Sequence, residues 1–233
     1  MDKKFSRLSV VVGLFLGLIL SSNVAMAQPL DRSFIRQQIR ENDQCRNVAI
    51  TKSNGDLMLY GQNGWAADGC PAGLTQAMNE LNNQHEYIDD VQLTENGRWL
   101  ILYGDNGLLW NNIPADLEQT LREWNANNEV ITSVSFNDDG EWIAVSENYI
   151  CASDPDIQSW VAEGIDKFGV VWTTCITDDA AVVVYENGFK YLGEIPPSLG
   201  DSLDATDIDV YRLKIAGDAW FFSDCVGACE YRL

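Results

Sequence analysis

The sequence predicts a mainly β repeat fold with helices, in which small three-stranded sheets are each followed by a helix. Three observations predict it. A strand–turn–strand–turn pattern returns about every forty residues, in the range of solenoids and propellers. A proline and an apolar helical stripe follow the strands in each complete copy. A helix-like stretch precedes the first copy, whereas the last copy has strands and no helix.

The chain opens on a pattern expected of a secretory signal peptide, residues 1–27. Lys3, Lys4 and Arg7 make a positive start, Leu8 to Leu20 is apolar but for Ser9, and Ala25-Met26-Ala27 supplies the small-x-small end. Cleavage there leaves Gln28 first. The alternative is a membrane anchor, but the apolar run falls short of the ~18 residues a spanning helix needs. No Cys sits at the cleavage point, which argues against a lipoprotein. A secreted or periplasmic location is expected, with no later segment apolar enough to cross a bilayer. Ser33 to Arg40, with Ile35 and Ile39 four apart, predicts a helix over about 31–41.

The repeat itself is clearest in two stretches, Val91 to Gly107 and Val134 to Tyr149. Gly97 and Gly140 mark their first turns, and Trp99 and Trp142 follow two residues later. A third copy lies upstream, with Gly55, Leu57, Tyr60 and Asn63-Gly64. A fourth lies downstream, with Ala180, Val182, Tyr185 and Asn187-Gly188. A fifth runs from Tyr211 through Gly217-Asp218 to Phe222. The units span about 45–87, 88–130, 131–170, 171–207 and 208–233.

Each unit starts with an alternating strand, such as Val91/Leu93 or Val134/Phe136. Asn-Gly and Asp-Gly turns follow, because these residues tolerate the positive φ of tight hairpins. The second strand is apolar on both faces, as in Trp99 to Tyr103, so it must be covered on both. A short third strand carries Trp65, Leu109-Trp110, Tyr149-Ile150 or Phe189 to Tyr191. Pro71, Pro114, Pro155 and Pro196 then open helices, where a missing N–H costs nothing. Leu74, Met78 and Leu81, and Leu117, Leu121 and Trp124, keep helical spacing; Ile157/Val161 and Leu199/Leu203 continue it.

Five helices and five sheets are thus cut between a sheet and its helix. Joining the ends hides both terminal surfaces, which predicts a five-bladed propeller-like ring. The alternative is an open βββα solenoid.

The motif resembles tandem repeats of bacterial exported or multidomain proteins, with the pattern D-G-x-W-x-x-x-Y-x-x-N-G-x-x-W followed by I-P-x-x-L-x-x-x-L. Asn96-Gly97-Arg98-Trp99, Trp110, Ile113-Pro114, Leu117 and Leu121 carry the match. The copy at Val134 to Tyr149 lacks the second glycine, and the downstream one has Ala180 and Val182 for the first glycine and the tryptophan. The resemblance implies a propeller-like repeat fold and no particular activity.

The chain carries formal charge −20. Its first 27 residues hold Lys3, Lys4, Arg7 and Asp2, so the remainder stands at −22. Such a surface repels phosphate backbones and anionic lipid, so nucleic acid and membrane are not expected partners. Ordinary solubility accounts for the charge equally well. The six cysteines all follow residue 27, and an even count in an exported chain suggests disulfides. Sequential pairs, Cys45–Cys70, Cys151–Cys175 and Cys225–Cys229, are expected among the fifteen possible connectivities. Nothing in the spacing suits a zinc knuckle.

No catalytic constellation is legible. His85, alone in a polar stretch, leaves zinc hydrolysis and Ser-His-Asp chemistry without partners. No nucleophile elbow or phosphate loop occurs, and no cofactor is expected. Asp138-Asp139 and Asp178-Asp179 sit at turns, where Asp serves local hydrogen bonds. Asp201, Asp204, Asp207 and Asp209 offer hard oxygens of the kind Ca²⁺ takes, although the spacing is not that of an EF-hand. Trp99, Trp142 and Trp220 read as core. Trp65, Trp110 and Tyr191, on the third strands, are candidate binding residues, since exposed aromatics stack on sugars or peptides. Repetition without a singular polar cluster points to an exported, non-enzymatic binding or scaffolding module for a protein or glycan. The alternative is a carbohydrate-active hydrolase or lyase using a carboxylate pair.

Overall fold

The computed structural model describes residues 31–53 and 55–233. The expected signal peptide lies outside the described residues. Helix α1 (Ser33–Glu41) comes first. The first unit is β1 (Cys45–Ile50), β2 (Asp56–Tyr60), β3 (Gly64–Asp68) and α2 (Ala72–Asn83). The second is β4 (Ile88–Leu93), β5 (Trp99–Tyr103), β6 (Gly107–Asn111) and α3 (Ala115–Ala126). The third is β7 (Ile131–Phe136), β8 (Trp142–Ser146), β9 (Ile150–Ala152) and α4 (Pro155–Phe168). The fourth is β10 (Val171–Ile176), β11 (Ala180–Tyr185), β12 (Gly188–Gly193) and α5 (Pro197–Ala205). The last is β13 (Arg212–Ala216), β14 (Ala219–Ser223) and β15 (Cys229–Arg232). Each unit is an antiparallel three-stranded meander with its middle strand in the centre. Among the described residues the fold is therefore an α+β arrangement of five such sheets with five helices.

The middle strands explain the packing. Side chains on a strand alternate between faces, and here each face meets a different core. Trp99 and Ile101 join Leu57, Leu59 and α2, while Leu100 and Leu102 join α3 and Trp142. Ile143 and Val145 meet Val183, Tyr185 and α4; Val182 and Val184 meet Trp220, Phe222 and Leu199 of α5. The fifth core takes Met58 from the first sheet, Phe221 from the last, and Ile35 from α1. The helix that precedes all the strands thus fills the seam between first and last sheets. Arg36 Nη1 donates to the carbonyl of Leu233 at 2.8 Å across that seam. The expected core tryptophans Trp99, Trp142 and Trp220 are all buried.

The first strands touch one another in succession: β1 with β4, β4 with β7, β7 with β10, β10 with β13, and β13 with β1. Their alternation follows from this. One set of side chains, including Val91, Val134 and Leu213, enters the apolar cores. Other side chains on these strands are polar yet buried, with Asn47, Asp90, Ser133, Ser135 and Thr174 each 1% exposed. Buried polar groups need partners, and they find them between strands. Asn47 Nδ2 donates to Asp90 at 2.7 Å, and the Thr174 hydroxyl lies 3.0 and 2.9 Å from those of Ser133 and Ser135.

Two local expectations are refined. At the first turns Gly97 and Gly140 hold φ of 75° and 92°, as a left-handed turn position requires. At the second turns of the first two units the left-handed φ falls on Gly61 and Gly104, not on Gly64 and Gly107. Gly64 and Gly107 serve close approach instead: a Cβ there would sit 2.3 Å from the Tyr60 ring or 2.5 Å from that of Tyr103. The third unit has Ser146 in place of that tyrosine, so Tyr149 stands where the glycine would be. The prolines also differ in role. Pro71, Pro114 and Pro196 are the N-cap residues of their helices, with extended ψ, whereas Pro155 is the first helical residue as expected.

Candidate functional site

The two ends of the first strands are built differently. Their C-terminal ends converge around a cavity of about 60 Å³ lined by Lys52, Glu95, Asn137, Asp138, Thr177 and Asp178 among others. The polar groups here are tied to each other. Lys52 Nζ lies 3.1 Å from Asp179 and 3.6 Å from Asp178, and the Lys52 backbone N–H donates to Glu95. Thr94 Oγ1 donates to Asp138 at 2.6 Å, and Asn137 Nδ2 donates to the Thr177 carbonyl at 3.1 Å. Carboxylates therefore do converge at this mouth, but in a space of about two water volumes.

Behind the mouth lies a buried ion network. Lys214 Nζ donates to Asp90 at 2.7 Å, with the two side chains 7% and 2% exposed. Arg212 pairs with Asp89. Burial alone would push the Asp90 carboxyl up. Lys214, Arg212 and the hydrogen bonds outweigh it and hold the group below the ordinary carboxylate value. A second buried pair, Arg32 Nη1 to Asp56 at 2.6 Å, ties the start of α1 to β2. There burial dominates, raising the Asp56 carboxyl and lowering the Arg32 guanidinium.

The N-terminal ends of the first strands carry the exposed apolar surface. Four of the five begin with a register shift, between Cys45 and Asn47, Ile88 and Asp90, Ile131 and Ser133, and Val171 and Thr173. Such bulges re-aim side chains where a sheet ends. Tyr87, Val130, Val170 and Tyr211, each one residue ahead of its strand, are 39, 36, 59 and 39% exposed. Val170 and Tyr211 border a groove of about 660 Å³ lined also by Tyr149, Ile165 and Trp172, with Glu147, Asn148 and Gln158 as polar members. Its volume is that of an ordinary ligand site. Tyr149 is 58% exposed and stacks on Trp124 at a centroid distance of 6.4 Å. Arg212 lies over the Tyr211 ring at 4.6 Å, and Arg46 over Tyr87 at 4.4 Å, so cations brace two of these aromatics.

The residues singled out from the sequence are not brought together. Trp65 packs against the first core, and Trp110 against the second beneath Arg122, whose guanidinium is 4.9 Å from its ring. Tyr191 is 51% exposed and stacks on Phe189 at 6.4 Å. The three lie on separate sheets. Among the described residues no group of three or more His, Cys, Asp or Glu side chains is placed to hold a metal. Asp201 and Asp204 lie on α5, while Asp207 and Asp209 lie beyond its end. His85 is exposed at φ 62°, in the turn after α2.

The cysteines are all free thiols. Cys45 is opposite Tyr60 at one end of the first sheet, whereas Cys70 donates to the carbonyl of Asp56 at the other. A five-residue strand separates those ends by roughly 13 Å, beyond the reach of a disulfide. Cys151 packs in the core between the second and third sheets, and Cys175 in that between the fourth and fifth. Cys225 is exposed in a turn, while Cys229 packs in the fifth core together with Cys45.

Sequence reasoning missed Trp172 and Tyr211 and took Tyr149 for a strand residue. The usable signal was the third unit's missing glycine, which marks the place where the repeat departs from itself. No protein-family model matches the chain, and neither the curated proteins nor the solved structures contain a significant match.

Proposed function

We propose that the chain is an exported, non-enzymatic binding module, built as a closed five-unit propeller-like ring, that holds a polypeptide segment in the Tyr149–Trp172–Tyr211 groove. The closed ring is supported by the fifth core and by the succession of first-strand contacts that returns to β1. The expected export and the resemblance to exported tandem repeats belong to the same reading.

The carrying observation is that exposed Tyr149 and Tyr211 line one mainly apolar groove of about 660 Å³ at the N-terminal ends of the first strands. Water released from such a surface drives association. Aliphatic Ile165, Val170 and Val145 among the rings suit apolar side chains of a peptide. The surrounding charge of −20 over the whole chain favours a segment that also carries Lys or Arg. The hydrolase alternative places its carboxylate pair at the opposite mouth. The cavity there is only about 60 Å³, and Asp138 and Asp179 are already engaged by Thr94 and Lys52.

Screening a displayed random-peptide library alongside a labelled glycan panel separates these readings. Peptides with apolar residues flanked by basic ones are expected to be enriched, and Trp172→Ala or Tyr211→Ser is expected to weaken their binding tenfold or more. Glycan turnover abolished by Asp138→Asn would defeat the proposal, as would peptide binding indifferent to both groove substitutions.

A further inference from the structure

The first and last units meet at more than an apolar core. Cys229 opens β15 opposite Ser223 of β14, and the Ser223 hydroxyl donates to the backbone carbonyl of Arg46, next to Cys45, at 2.5 Å. The turn before Cys229 lies on the chain just ahead of β1: a Cβ on Gly227 would come within 2.4 Å of the Gln44 backbone, and Gly227 holds φ 105°. Cys45 and Cys229 thus face each other in the fifth core, beside Val48 and Phe221. Their interaction raises the Cys45 thiol, which burial raises further.

We propose that Cys45 and Cys229 are a cross-linking site: a disulfide between them fastens the last strand of the chain to the first and locks the five units shut. The chemistry is thiol–disulfide exchange with an external disulfide oxidant. Cys229, the less buried of the two, attacks one sulfur of the oxidant as thiolate. That forms a mixed disulfide and expels the oxidant's other sulfur as thiolate. Cys45, deprotonated in turn, attacks the Cys229 sulfur, which forms the Cys45–Cys229 bond and expels the second thiolate of the oxidant. The two cysteines lose two protons and two electrons, and the oxidant is reduced to its thiols. The interaction with Cys45 holds the Cys229 thiol below its ordinary value against the pull of burial, which favours Cys229 as the attacking group.

The remaining thiols lack such a neighbour. Burial pushes Cys70 up to about 12 and Cys175 up to about 11, which suppresses their reaction in the folded chain. Cys225, exposed and four residues from Cys229, is the competing partner. The proposal does not depend on the groove or on its ligand.

The test is disulfide mapping of the protein after equilibration with glutathione disulfide, alkylation of free thiols and tryptic digestion without reduction. A cross-link is expected between the peptide holding Cys45 and the C-terminal peptide holding Cys229, with Cys225 alkylated. It persists in Cys225→Ser and vanishes in Cys229→Ser. Closing so long a loop is expected to raise the melting midpoint by roughly 10 °C, reversed by reductant. An internal Cys225–Cys229 bridge, a Cys45–Cys70 link, or Cys45 and Cys229 both recovered alkylated would overturn the assignment.

Discussion

Lys214→Met is expected to destabilise the protein by about 3–5 kcal/mol, because it leaves the Asp90 carboxylate buried beside its lost partner. Arg212 and Asn47 remain near Asp90 but do not replace the direct ammonium contact. Adding Asp90→Asn should recover much of the loss, since the amide oxygen still accepts from Asn47 and no charge is left behind. The pH dependence has a definite sign. Asp90 titrates lower in the fold than its unfolded value of about 3.9. Its contribution is therefore complete above that value and is lost as pH falls through the lower folded value. The deficit of Lys214→Met should shrink on acidification, starting at higher pH, because burial without the ammonium raises the stranded carboxyl and lets it take up a proton. Urea titrations at neutral and acid pH check both points; a neutral-pH loss under 1 kcal/mol would contradict the network as described.

The second large effect concerns the seam between the ends of the chain. Ile35→Ala is expected to cost about 2–5 kcal/mol and Phe221→Ala about 3–5 kcal/mol, the usual range for such truncations in a packed core. These residues come from the first helix and the last sheet, so their sum is not expected to be additive. More telling is the shape of the transition. In an open array a damaged terminal unit melts ahead of the rest. In a closed arrangement either substitution lowers one common transition, read identically by tryptophan fluorescence and far-ultraviolet circular dichroism.

Much of this architecture was legible because its causes are local. Alternating Trp99-Leu100-Ile101-Leu102 states outright that a strand is covered on both faces, and Leu117, Leu121 and Trp124 state a helix with one buried stripe. Gly97 and Gly140 announced their turns through backbone conformation alone. What stayed hidden depends on residues far apart in sequence. The bulges that open β1, β4, β7 and β10 carry no residue signature, yet they set the surface on which the groove lies. Asp90 and Lys214 meet across more than a hundred residues, so nothing local to either one signals the pair. The neighbourhood of Cys229 stayed hidden for the same reason: sequence spacing places Cys225 beside it, whereas the return of the last sheet to the first brings Cys45 into the same core. Tyr149 was visible only as an imperfection, a tyrosine where the neighbouring units keep glycine to admit Tyr60 or Tyr103.

The most direct test of closure is a circular permutant. Its termini would be moved to the exposed turn at Asn127–Asn128, after α3, and Leu233 joined to Asp31 by a short Gly/Ser linker. If α1 fills the seam between the last and first sheets, the permutant folds to the same circular dichroism spectrum and unfolds in one cooperative step. A permutant that is insoluble, or that unfolds as two separate blocks, would contradict a closed five-unit arrangement.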